Sequence, residues 1–140
     1  MIVNIVCTGN VARSAALGIL LADNRPDLTV ISSAVGKRAV DGRRCARPMR
    51  ALLAEYGYAE QAETHRSRVF DPDEQVDVIV ASAAVHVRRL SELGATAQII
   101  ALDPPIPDPA FGGEAAYAEV WPMIEAAVQK LSRELPCSLL

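Results

Sequence analysis

Cys7, Thr8, Gly9, Asn10, Val11, Ala12, Arg13 and Ser14 follow one another near the start of the chain: a cysteine, five residues, then Arg-Ser. These residue types in this order suit an oxyanion such as phosphate. Backbone N–H groups of a tight turn, together with those of a helix's first turn, form a concave anion site. Gly9 and Asn10 tolerate the positive φ that such a turn needs. Arg13 offers a planar fork for two oxygens. Cys7 lies where the helix start and Arg13 both favour negative charge, which favours the nucleophilic thiolate over the thiol. Ser14 is placed to donate a hydrogen bond to the sulfur and so improve it as a leaving group. By spacing alone the motif fixes only two residues. A buried small cysteine at a strand end and a surface arginine would satisfy it equally. What gives it weight is its place between an apolar run and a helical one.

Those flanking elements are legible. Residues 2–6 are apolar and read as a buried strand. Residues 14–22, rich in Ala and Leu, read as a helix, and Pro26 ends the unit. Residues 28–32 read as a second strand, and 36–47 as a basic loop with two glycines. Pro48 suits a helix N1 position, and the helix continues over 49–56 to Gly57. Residues 76–81 and 97–102 read as the third and fourth strands. Between them, 84–93 form a helix with Val87, Leu90 and Leu93 on one face, closed by Gly94. His86 is expected on the solvent side of that helix. Residues 103–113 form a long loop with four prolines, and 114–135 carry apolar residues at helical spacing. Pro122 lies inside that last run and is expected to kink or split it. Alternating strands and helices predict an α/β fold: three layers, α/β/α, around a four-stranded parallel sheet. The loop at Cys7 then leaves the first strand at its carboxyl end, where such folds bind ligands.

The chain has 140 residues, which suits a single domain over 1–140, and 51 % of them are hydrophobic against 22 % charged. A net charge of −3 argues against nucleic acid or an anionic membrane as the main partner. Three widely spaced cysteines, Cys7, Cys45 and Cys137, read as reduced thiols in a cytoplasmic protein. The first apolar run is too short for a secretory leader and has no basic lead, and no run approaches a membrane span.

Far downstream, residues 106–113 read Ile-Pro-Asp-Pro-Ala-Phe-Gly-Gly. With the loop at Cys7 before it, this stretch resembles the Asp-Pro loop of the low-molecular-weight protein tyrosine phosphatases, whose signature loop the first motif also resembles. The resemblance covers nearly the whole chain. It implies a phosphatase for phosphotyrosine, in a phosphorylated protein or a small phosphomonoester, with no cofactor and no metal, expected as a monomer or weak dimer. It implies that Cys7 attacks phosphorus, that residues Thr8 to Arg13 hold the phosphate oxygens, and that Asp108 is general acid and then base. Asp103, which also precedes a proline, is the rival. Asn10, Ser33 and His65 occupy the places of residues that hold the loop in shape, and Ser14 supports the sulfur.

The sequence also departs from the family. Ala12 stands where many members carry a second cysteine, so the nucleophile has no disulfide partner inside its own loop. The stretch Gly36-Lys37-Arg38-Ala39-Val40 holds no aromatic, and Ala110 and Phe111 stand where two tyrosines are common, leaving Phe111 as the main wall for a substrate ring. Ser82-Ala83 replaces the family's Met-Asp. Lys37, Arg38, Arg43 and Arg44 suit an acidic substrate or form a solvated basic loop. Val11 stands where the related arginine phosphatases carry threonine, which leans towards an O-phosphate ester. Arsenate reduction would need a resolving cysteine pair around residues 67–83, and there is none. A phosphate-binding module with an altered pocket is the non-enzymatic alternative.

Overall fold

The computed structural model describes residues 1–137. Its elements are β1 (Ile2–Cys7), α1 (Arg13–Asn24), β2 (Thr29–Ala34), α2 (Arg47–Glu55), α3 (Ala59–Thr64), β3 (Val78–Ala81), α4 (Ala84–Glu92), β4 (Gln98–Ala101) and α5 (Gly113–Glu134). The strands form one parallel sheet in the order β2-β1-β3-β4. The chain therefore steps from β1 to one side and later returns to the other. That reversal opens a crevice at the carboxyl ends of β1 and β3, where the connections diverge.

Both faces of the sheet are covered, which is why its central strands are apolar apart from Asn4 of β1. Val3 and Ile5 of β1, with Val78 and Val80 of β3, face one core with Leu17 and Leu21 of α1 and Trp121, Ile124 and Val128 of α5. Val6, Ile79 and Ala81 face the other core, with Leu90 of α4 and Phe70. Leu17 and Leu21 are both fully buried, each contributing about 2 kcal/mol of transfer free energy. No helix among the described residues is long and apolar enough to cross a membrane.

The structure adds one element and corrects one expectation. Residues 59–64, with no apolar stripe and only Ala62 buried, form the short helix α3. Pro122 does not split α5, which runs through it as one helix of 22 residues. Pro122 removes the hydrogen bond to the carbonyl of Ala118, but both residues are exposed, so water can serve that carbonyl.

Candidate active site

The loop between β1 and α1 folds around the Cys7 sulfur. Cys7 ends β1 and is buried. Its Sγ lies 3.0 Å from Ser14 Oγ and accepts a hydrogen bond from the Asn10 N–H at 3.3 Å. The Asn10 side-chain amide donates to Ser14 Oγ at 2.8 Å. With that lone pair occupied, the Ser14 hydroxyl is left to donate to the sulfur. Two donors thus converge on Sγ and stabilise negative charge there. The start of α1 has no side-chain cap and no acidic residue in its first turn. Its N–H groups and dipole are therefore available to an anion above Cys7.

Asn10 is the hub. Its φ of +55° puts it in the left-handed region, which asparagine enters more readily than most residues. Gly9 does not have a positive φ, so that part of the expectation fails, and a Cβ there would meet nothing closer than an ordinary contact. Every polar group of Asn10 is engaged. Its Oδ1 accepts from the Arg68 N–H at 3.0 Å and its carbonyl from His65 Nε2 at 2.7 Å. Burial lowers the His65 pKa, and the nearby Arg66 charge acts the same way against the Asn10 carbonyl. Ser33, expected as a third brace, lies inside β2 and donates to Asn4 Oδ1 of β1 at 3.1 Å. It ties the two strands together beneath the loop and makes no hydrogen bond to it.

The chain after β2 clasps the loop from outside. The Gly36 N–H donates to the Thr8 carbonyl at 3.0 Å and the Ala46 N–H to the Val11 carbonyl at 2.7 Å. A Cβ on Gly36 would lie 2.7 Å from the Thr8 carbonyl oxygen and 2.8 Å from Thr8 Cγ2. Gly36→Ala is expected to destabilise the protein by about 1–3 kcal/mol, as overpacking does. Urea unfolding checks it, and an unchanged midpoint would show that the two loops part without cost.

Arg13 is almost fully buried. Its Nη1 donates to the Ile106 carbonyl at 3.1 Å and its Nη2 to Thr8 Oγ1 at 3.3 Å, and Nη2 lies 3.6 Å from Asp108 Oδ2. Ile106 is held in turn, because its N–H donates to the Ser82 carbonyl at the end of β3. Asp108 is half-exposed, with Oδ1 accepting from the Ala110 N–H at 3.0 Å, so the carboxylate is oriented yet accessible. Asp103 makes no ion pair with Arg13. Phe111 stands fully exposed on the same loop, Val11 is half-buried, and Ala12 is buried at the cap of α1. Cys45 is a buried core residue whose thiol is pushed up to about 12 by burial, against the pull of Arg50, so it is unreactive at neutral pH. The described cysteines are all free.

The sequence reading missed His86. It is buried, not on the solvent side, and its Nε2 lies 3.0 Å from Thr8 Oγ1 while Nδ1 accepts from the Ala83 N–H at 3.1 Å. The missed signal is its spacing, four residues before the buried Leu90 and so on the same helix face. Burial first, then the Arg13 charge, lowers its pKa from 6.5 to about 4, with Asp108 opposing. The folded state thus keeps His86 neutral where the unfolded chain protonates it. Stability is complete above pH about 6.5 and falls as pH drops towards about 4, by about 3 kcal/mol from this group. Denaturation midpoints against pH should show that loss in the wild type and a shallower one in His86→Gln. Identical slopes would contradict it.

A family model described as low molecular weight phosphotyrosine protein phosphatase matches residues 2–138. No curated protein matches the sequence. Several solved structures match in fold. The tyrosine phosphatase Wzb from Escherichia coli K30, in complex with sulphate, is 23 % identical with a TM-score of 0.87, over 96 % of this chain and 98 % of that one. The Erwinia amylovora tyrosine phosphatase amsI is 20 % identical with a TM-score of 0.85, over 94 % of this chain and 91 % of that one. The YwlE arginine phosphatase from Geobacillus stearothermophilus is 24 % identical with a TM-score of 0.78, over 96 % and 92 %.

Proposed function

The chain belongs to the low molecular weight phosphotyrosine protein phosphatase family, and on that premise we propose that it hydrolyses phosphotyrosine, in proteins or small aryl phosphates, through a phosphocysteine on Cys7. The observation that carries this is the Cys7 sulfur, held by Ser14 and the Asn10 N–H beneath the uncapped start of α1. The sulfur attacks phosphorus in line, forming an S–P bond as the P–O bond to the aryl group breaks. Asp108 gives its proton to the departing oxygen. Arg13 and the N–H groups of residues 8–13, apart from the Asn10 N–H that holds the sulfur, take the three equatorial oxygens, where charge spreads in the transition state. Water, giving a proton to Asp108, then attacks phosphorus, and the sulfur leaves with the Ser14 hydroxyl donating to it.

The rim favours a planar ring and an acidic surround. Phe111 is fully exposed beside Asp108 and supplies a face on which a tyrosyl ring can stack. Lys37, Arg38, Arg43 and Arg47 are exposed on or next to the clasping loop, and none of them forms an ion pair among the described residues, whereas Arg44 pairs with Glu63. Val11 brings an apolar side chain, with no hydroxyl, to the loop. A panel of phosphotyrosine, phosphoarginine and phosphoserine peptides at matched concentration tests the reading. Phosphate release is expected to be fastest from phosphotyrosine with acidic flanks. Fastest release from phosphoarginine would make it an arginine phosphatase, and tight binding with no release would make it a binding module.

A further inference from the structure

His86 has no part in the chemistry above, yet it is buried against the phosphate loop. Its hydrogen bonds fix its tautomer. The Ala83 N–H is a donor, so Nδ1 must accept. In the neutral ring Nε2 then carries the proton and donates it to Thr8 Oγ1 at 3.0 Å. Arg13 Nη2 donates to the same oxygen. A hydroxyl oxygen accepts two such bonds, so the Thr8 proton has to point elsewhere. The Thr8 Cγ2 lies close to Gly36, where even one added carbon would be 2.8 Å away. Thr8 is an exposed residue whose hydroxyl bonds are part-buried, so a ligand in the cradle can reach its remaining proton. The ring is kept neutral by burial and by Arg13 itself, as its low pKa reflects.

We propose that His86 is a positioning residue for Arg13, acting through Thr8. The histidine sets the Thr8 hydroxyl so that its oxygen carries one corner of the guanidinium fork and its proton is presented to the incoming phosphoryl group. The other corner rests on the Ile106 carbonyl. Arg13 is thus hung between two oxygens that leave its remaining N–H groups for the equatorial oxygens of the substrate. Holding a charged fork before the reaction matters most in the transition state, where those oxygens gain charge. The inference rests on the phosphatase reading for its kinetic arm only.

Two amides separate the donor from the acceptor role of the imidazole. In His86→Gln the amide nitrogen stands near Nε2 and can still donate to Thr8. In His86→Asn the shorter side chain can serve the Ala83 N–H but does not reach Thr8. Thr8→Val removes the hydroxyl at nearly constant volume, and Thr8→Ser keeps it. Thr8→Val and His86→Asn are each expected to lower kcat for p-nitrophenyl phosphate about tenfold with KM little changed, the loss of one hydrogen bond near a charged group. The pair combined should lose no more than the worse single variant, since both cut one chain of contacts. His86→Gln and Thr8→Ser should recover most of the activity. Calorimetric binding of inorganic phosphate, weakened in Thr8→Val and His86→Asn but not in the other two, reads the same geometry without turnover. An inactive wild type that shows this binding pattern would sink the phosphatase reading and keep the positioning role. Wild-type kcat in Thr8→Val, additive losses in the double variant, or equal losses in His86→Asn and His86→Gln would each overturn the proposal. If a His86 variant does not fold, unchanged kcat and phosphate binding in Thr8→Val still overturn the proposal, and the other His86 amide variant carries its positive arm.

Discussion

Cys7→Ser is expected to lower kcat for p-nitrophenyl phosphate by more than about 1,000-fold, the scale on which enzymes lose activity with their nucleophile. The reason lies in the depth and company of the sulfur. Ser14 and the Asn10 N–H, 3.0 and 3.3 Å away, are set to hold a negative atom. A serine hydroxyl in that place stays neutral and presents a proton where the site offers donors. The cradle should survive, because the Arg13 fork, the start of α1 and the braces of Asn10 do not depend on sulfur. Inorganic phosphate should therefore still bind the variant. Acid-quenched wild type should carry one phosphoryl group by intact mass, and Cys7→Ser none. Undiminished turnover in the variant would remove Cys7 from the mechanism.

Asp108→Asn should act through the leaving group. An asparagine matches the carboxylate in size and can keep the Ala110 N–H bond, but it cannot give a proton to oxygen. Phenyl phosphate, which needs that proton, should lose about 100- to 1,000-fold in kcat, whereas p-nitrophenyl phosphate, whose phenolate departs readily, should lose about tenfold or less. The slope of log kcat against leaving-group pKa is the measurement. A uniform loss across leaving groups would mean that Asp108 holds Arg13 and does not supply the proton. That outcome is concrete, because the two side chains lie 3.6 Å apart.

What the sequence made legible follows from distance along the chain. Cys7, Arg13 and Ser14 sit within eight residues, and the apolar run before them and the Ala- and Leu-rich run after them announce strand and helix. Asp108 was reachable only by resemblance, since nothing in residues 106–113 says that they meet Arg13. The same resemblance led to His65, whose imidazole does reach Asn10, and to Ser33, which does not. His86 was misread because polar residues on a short helix are assigned outward by habit. Its ring is held by the Ala83 N–H before α4 and by Thr8, two partners that only the fold brings together. Residues 59–64 were missed for a different reason. Four polar residues and two alanines, one of them buried, carry no periodicity to read.

The phosphate loop is eight residues long, yet the contacts that shape it come from Gly36, Ala46, His65, Arg68 and Ile106. A ribosome delivers Cys7 almost at once and Ile106 roughly a hundred residues later, many seconds on at ordinary rates of synthesis. Through most of that interval Arg13 lacks the Ile106 carbonyl that holds its fork. The cradle is complete only as the chain nears its end, so a truncated or stalled product carries Cys7 without the finished phosphate loop around it.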